Sequence, residues 1–412
     1  MRVLMVGPWR MVAMRRHIDW VVESGAQVCV ADYRSRRDRG RPTTFELAAL
    51  SPRQSAALWG AKPNRRSQIA GLRAALRLRQ IAARFQPDLV HSYMLGPYTD
   101  ACLQAGLRPL VVSAWGFLNR WLTGEATASD RRWLRRLRQG AHTLLVESPN
   151  LELAMAQRRL ASLHVECFSI GVDGRLFHPD HQEKAAAWRF ALGIPPEAIV
   201  LLSPRGWSQT YGQRHIMHAV AQVCHQLDQP LVLLFLGMGR IKRPEPLAVE
   251  VLEIGRSLGV GHAIRWIPEV PYDDMPGVYN LADIVLSYPS SDAFPATLLE
   301  AAACGRPVIS SDLPAYRDTF IERCCTLVPP NDPAALADAI TALVQAGPQV
   351  WAAQANLARQ AVLAEHDEAS QKGRLLALYA RILGADPYNV LSPSCASDCA
   401  LESTLSPVGT AG

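Results

Sequence analysis

Short apolar runs alternate along the chain with longer stretches in which apolar residues return every three to five positions. In the first part, strands are expected at Val3–Val6, Gln27–Ala31, Leu89–His91 and Leu110–Ser113. Helices are expected at about Arg15–Glu23, along Ile69, Leu72, Leu76, Ile81 and Phe85, and at Tyr98–Ala105. The Arg-rich segment Tyr33–Arg41, closed by Pro42, reads as a solvated loop. After Pro179 the alternation starts afresh, with strands Ile199–Ser203, Leu231–Leu236, Ile264–Ile267, Ile284–Tyr288, Pro307–Ser310 and Thr326–Val328. These runs are largely apolar, as strands covered on both faces require. Helices fall at about Arg214–Leu227 and Thr297–Cys304, and long helices fill Pro333–Leu383. The fold class expected is α/β, with two doubly wound, Rossmann-like domains facing across a cleft at the carboxyl ends of their strands.

Composition excludes several alternatives. With 49% hydrophobic and 19% charged residues among 412, disorder is not the main state, although the Ser- and Pro-rich stretch Asp386–Gly412 reads as a disordered tail. No apolar run approaches the roughly 18 residues that span a bilayer, and Met1–Gly7 is too short for a signal peptide. Nine scattered cysteines without a C-x-x-C pair suit a reducing cytoplasm.

Charge changes the picture more. The net +6 divides into +14 over residues 1–150 and −8 over the remainder, and the cations are nearly all arginine. Arginine suits phosphate and carboxylate, although a GC-rich genome gives the same bias. The segment Asp130–Arg138 forms a basic amphipathic helix able to rest on an anionic membrane or hold an acidic acceptor. The simpler reading packs Trp133, Leu134 and Leu137 on the sheet. No D-x-D triplet and no His, Cys and carboxylate cluster implies a metal. No G-x-G-x-x-G follows the first strand, and no nucleic-acid module is recognisable.

The most specific segment is Ser287–Val308, a strand end, a polar loop, a helix and the next strand. The loop delivers Asp292, and the amides of Ala296, Thr297 and Leu298 open the helix as orphan donors suited to a diphosphate. Glu300 lies one turn further, where a carboxylate accepts two ribose hydroxyls. The plainer alternative is a helix cap at Asp292 and a surface glutamate at Glu300.

This segment resembles the signature of the retaining nucleotide-sugar glycosyltransferases of the GT-B fold, family four, also called group 1. Asp292 and Glu300 keep the family's acid-x7-acid spacing, and Glu300-Ala-Ala-Ala-Cys-Gly-Arg-Pro-Val308 follows it. Further matches stand in order: Ser169-Ile-Gly-Val-Asp173 with Phe177 and Pro179, Leu201-Leu-Ser-Pro-Arg205, Phe235-Leu-Gly-Met-Gly239, Tyr279-Asn-Leu-Ala-Asp283 and Pro329–Leu336. The resemblance implies an acceptor domain over residues 1–179 and a donor domain over 180–365, with a helix at about 366–385 packing back on the first.

It also implies transfer of a sugar from a nucleotide diphosphate sugar, foremost a UDP-sugar, to an acceptor hydroxyl with retention and without metal or cofactor. Arg205, Tyr211, Asp292 and Glu300 are the catalytic candidates; Gly237, Ile267, Phe294, Ala296, Thr297 and Leu298 are the donor-binding ones. Tyr211 stands where the family usually has a lysine, and Asp292 is shorter than the usual glutamate. Trp115-Gly116 replaces the usual acceptor-side histidine, and Gly7-Pro8-Trp9 replaces a glycine-rich loop. Acceptor-side candidates are therefore Gly7, Trp9, His17, His91 and Trp115. The acceptor expected is an anionic lipid-linked molecule or a small soluble one, with peripheral membrane contact through the basic half. A binding protein that kept the fold, or a sugar-nucleotide epimerase, are the alternatives.

Overall fold

The computed structural model describes residues 1–33, 46–50, 65–116, 118–158, 163–237, 239–240, 243–267 and 269–385. The loop reading beyond Tyr33 and the tail reading for 386–412 lie outside the described residues.

The first sheet has seven strands: β1 (Arg2–Val6), β2 (Gln27–Asp32), β3 (Glu46–Ala49), β4 (Leu89–Tyr93), β5 (Leu110–Ser113), β6 (Thr143–Val146) and β7 (His164–Cys167). Its order is β3-β2-β1-β4-β5-β6-β7, parallel throughout, with Met5 facing Val30 on one side and His91 on the other. The second sheet uses β8 (Ile199–Ser203), β9 (Leu231–Leu236), β12 (Ile264–Ile267), β13 (Ile284–Ser287), β14 (Val308–Ser311) and β15 (Thr326–Val328) in the order β12-β9-β8-β13-β14-β15. A short hairpin, β10 (Gly239–Arg240) with β11 (Arg243–Pro244), stands apart. Each sheet reverses winding beside its first strand, between β1 and β4 and between β8 and β13, where an open α/β sheet leaves a crevice for ligand.

The strands are apolar because each sheet is covered twice. Leu4, Val6, Val90 and Val112 face one layer of helices, while Val3, Met5, Val111 and Leu145 face the other. In the second sheet Val200 and Val285 belong to one core, and Leu201 and Ile284 to the opposite one. Helix ends follow local chemistry. Thr127 and Asp130 form a reciprocal capping box at the start of the helix Ala128–Gly140, and Asp332 accepts from Ala334 and Ala335 to begin Pro333–His366. That helix is interrupted at Gly347 (φ 81°) before Pro348.

Two helix readings need correction. In the helix Arg65–Phe85, Ile69, Leu72 and Leu76 face solvent, and the buried side is Ala70, Ala74, Ala75, Leu78, Ile81 and Phe85. The alanines let this helix lie close to Pro97–Ala105, a seam that a count of large apolar residues overlooks. In the helix Ala128–Gly140, Leu134 and Leu137 enter the core, Arg131, Arg132, Arg135 and Arg138 are exposed, and half-buried Trp133 stacks under Arg136. The simpler of the two readings of this segment holds for Leu134 and Leu137 and is corrected at Trp133, which stands outside the core. Among the described residues no helix is long and apolar enough to cross a membrane.

The chain passes between the lobes twice. Val172, on the outgoing pass, forms a parallel bridge with Asp367 on the return, and its amide donates to His366 O at 2.8 Å. The final helix, Glu368–Leu383, then packs Leu375, Leu376, Leu378 and Tyr379 against the first sheet.

Candidate active site

The loops after β8 and β13 meet at the second sheet's winding reversal. After β8 the chain runs Pro204-Arg205-Gly206-Trp207 into a short 3-10 turn, Gln209–Tyr211, and then Gly212. Gly212 has φ +72°, and a Cβ there would stand 2.1 Å from the Tyr288 carbonyl oxygen, so the two loops close on each other only around a glycine. The Ser290 amide donating to Thr210 O at 2.8 Å ties them.

Arg205 is the centre of this junction. Its guanidinium lies 2.8 Å from Asp292 Oδ2, within 3.4 Å of Thr297 Oγ1, and 4.0 Å above the Tyr211 ring. Burial works against the charge on Arg205, but Asp292, Tyr211 and Tyr316 together more than offset it and hold Arg205 protonated. Burial also raises the Asp292 carboxyl, whose Oδ1 accepts the Ala293 amide at 2.9 Å. Arg214 does not replace the family's missing cation, because its guanidinium is committed to Glu250 at 2.6 Å.

The helix Ala296–Ala303 begins beside Arg205 with no side-chain cap. Ala296 and Thr297 face the cleft side, half-buried, whereas Leu298 is fully buried and its amide bonds Pro295 O at 3.1 Å. Leu298 is therefore a core residue and not a donor contact. Ile267 is corrected likewise: its side chain is in the core, and its carbonyl accepts the Gly237 amide at 2.8 Å. Gly237 itself turns with φ +55° in open space, and Phe294 packs between Phe320 and His366 at the cleft wall.

Glu300 differs from the sequence expectation. It is buried, Oε2 accepts from the Tyr279 hydroxyl at 2.8 Å, and Oε1 accepts from the Tyr272 hydroxyl at 3.2 Å. Tyr272 in turn accepts from Arg16 of the first lobe, which also donates to Gly171 O at 2.8 Å. Burial raises the Glu300 carboxyl, opposed by Tyr279 and Arg16. A ribose diol reaches this carboxylate only by taking the place of a tyrosine, and the longer Tyr272 bond is the weaker of the two.

The residue pattern and both sheets now meet one description. Residues 184–361 match the family model described as Glycosyl transferases group 1. The C-terminal lobe is similar to this family. Beyond that lobe, the fold of the chain is GT-B. It superposes on sucrose-phosphate synthase from Thermosynechococcus elongatus with TM-score 0.71 at 17% identity, over 93% of this chain and 100% of that one. HepE from Anabaena, solved with UDP and glucose, gives 0.70 at 17% identity, over 92% and 100%. Among curated relatives, D-inositol 3-phosphate glycosyltransferase 1 of Catenulispora acidiphila is 30% identical over 51% of this chain and 50% of its own length. The Corynebacterium diphtheriae D-inositol 3-phosphate glycosyltransferase is 26% identical over 55% and 53%. The chain spans about half the length of the curated relatives it matches.

Facing the C-terminal lobe, the acceptor-side candidates divide. Trp115 lines the cleft, with φ +45° at the end of β5. Gly7 is a packing glycine, since a Cβ there would stand 2.8 Å from Met14 Sδ and from Tyr93 Cβ. Trp9 is buried under the guanidiniums of Arg10 and Arg15. His17 and His91 are enclosed core residues: His91 bridges Tyr379 (2.6 Å) and Ser113 (2.9 Å), and His17 meets Tyr93 (3.0 Å). Burial lowers both histidines, His17 to about 3, so they stay neutral. Neither reaches the cleft.

Sequence reasoning missed Glu147, which follows β6 and lines the cleft opposite Asp292. Its signal was an acid directly after the apolar run Leu144-Leu-Val146, at the carboxyl end of a strand. It also missed Tyr272, Tyr279 and Arg16, whose roles arise only when distant elements meet.

Proposed function

We propose that the protein is a glycosyltransferase that moves a sugar from a nucleotide diphosphate sugar, with UDP-glucose as the first donor to test, to an acceptor hydroxyl with retention of configuration. The observation that carries this reading is Arg205, held protonated at the reversal of the second sheet, between Asp292, Tyr211 and the uncapped start of the helix Ala296–Ala303. The HepE structures solved with UDP and glucose and with UDP-glucose support the choice of donor.

In this reading Arg205 and the amides of Ala296 and Thr297 take the diphosphate, and the Tyr211 hydroxyl adds one donor in place of a second cation. Asp292 leaves Arg205 to the phosphates and accepts hydroxyls of the sugar. Glu300 takes the ribose in exchange for Tyr272. As the anomeric C–O bond to the diphosphate breaks, the acceptor oxygen bonds the anomeric carbon on the same face. The acceptor proton passes to the leaving phosphate oxygen, so no metal or further cofactor is required. Closure of the lobes excludes water and aligns the two reactants.

The test is UDP release from UDP-glucose together with calorimetric binding of UDP, in the native protein and in Arg205→Ala. The native protein is expected to bind UDP and release it slowly from UDP-glucose. Arg205→Ala is expected to lose about 100-fold or more in turnover, the scale of one oxyanion donor. Absence of UDP, GDP and dTDP binding at millimolar concentration in the native protein defeats the proposal.

A further inference from the structure

The cleft encloses a pocket of about 320 Å³ built from both lobes. Met11, Trp115, Phe168 and Phe294 line its apolar wall, and among the described residues no lysine, arginine or histidine lines it. Among the described residues its two ionisable ones are Asp292, already paired with Arg205, and Glu147. Glu147 contributes its stem to the wall, while both of its oxygens are shut from solvent and lack a complete hydrogen bond. Burial pushes its carboxyl up to about 7, and the charge of Asp292 adds to this; the backbone amides of Gly116, Glu147 and Trp115 pull the other way. A buried polar group without its partners is unfavourable, so a ligand hydroxyl that reaches it relieves an existing cost.

We propose that Glu147 is the acceptor-binding residue of the cleft, and that the pocket takes an uncharged polyhydroxyl ring, one hydroxyl of which donates to the Glu147 carboxylate. This rests on the transfer reading above and names the acceptor class that reading leaves open. The side chain turns its oxygens from behind the wall into the pocket, and the ring's C–H faces lie on Trp115 and Phe168. A phosphorylated acceptor fits poorly, because its charge would meet the Glu147 and Asp292 carboxyls, with Arg205 set behind Asp292 and no cation among the described lining residues. Several described arginines of the first lobe are engaged elsewhere. Arg16 is committed to Gly171 and Tyr272, Arg15 pairs with Asp19, and the exposed arginines of Ala128–Gly140 stand on an outer helix.

The experiment compares myo-inositol with inositol 3-phosphate, and glucose with glucose 6-phosphate. Binding to the full chain is followed by saturation-transfer NMR with UDP present, and transfer by product formation from UDP-glucose. The native protein is expected to favour each unphosphorylated ring by about tenfold or more, and Glu147→Gln to narrow that ratio about threefold or more by raising acceptor KM rather than lowering kcat. A preference for the phosphorylated rings, binding of neither class at about 50 mM, or an unchanged ratio in a folded Glu147→Gln overturns the proposal. Failure of UDP itself to bind is the separate outcome that defeats the transfer reading.

Discussion

Glu147 makes a quantitative prediction that needs no substrate. Its carboxyl is pushed from an ordinary 4.5 up to about 7 in the folded protein, first by burial and then by Asp292 across the cleft. Between these values the unfolded chain has released its proton and the folded chain has not, so folding stability falls as pH rises from 4.5 to about 7 and stays low above it. The gap corresponds to about 3 kcal/mol. Glu147→Gln keeps the shape and removes the titration. At pH 8 it is therefore expected to be more stable than the native protein by up to about 3 kcal/mol, and near pH 4.5 to match it. For a lobe of this size that is about 6–12 °C in apparent Tm. Scanning calorimetry of both proteins at several pH values between 4.5 and 8 reads the difference, and subtraction removes every group the two share. A Tm difference independent of pH refutes the reasoning, since it would mean that Glu147 ionises at an ordinary pH and is well solvated.

Gly212→Ala combines a left-handed φ of +72° with a Cβ 2.1 Å from the Tyr288 carbonyl, so a loss of about 2 kcal/mol or more is expected, seen as a lowered Tm together with weakened UDP binding. An unchanged Tm would show that the two loops do not close around this residue. His17, lowered by burial to about 3, is expected to give imidazole NMR signals that do not titrate between pH 5 and 8. With its folded pKa depressed, it contributes stability above about 6.5 that is lost on acidification below that value, and His17→Phe is expected to flatten part of this acid loss. A midpoint near neutrality would return His17 to the list of acid–base candidates.

The strands were legible wherever a sheet covers them on both faces. Leu231–Leu236 and Ile199–Ser203 are apolar at nearly every position because cores lie above and below. The edge strand β7, His-Val-Glu-Cys, carries no such run and was not anticipated, nor were β3 and β6. Helix faces were harder, since Ala70, Ala74 and Ala75 carry the buried seam of Arg65–Phe85 while larger residues face out. At the site, the family resemblance grouped Arg205, Thr297 and Asp292, and one sheet reversal brings all three together. The Tyr272–Glu300–Tyr279 cluster, with Arg16 behind it, was not legible, because its members come from separated segments and meet only through tertiary packing.

The double passage between the lobes means that the first lobe is discontinuous in sequence. Its apolar face is completed by Leu375, Leu376 and Tyr379, and the Tyr379 hydroxyl lies 2.6 Å from His91 in the heart of the first sheet. A fragment ending near residue 170 would leave that face bare and His91 short of a partner. Separating the lobes for study thus requires grafting Glu368–Leu383 onto the first one, and a nonsense mutation late in the chain would strike the half of the protein that was synthesised first.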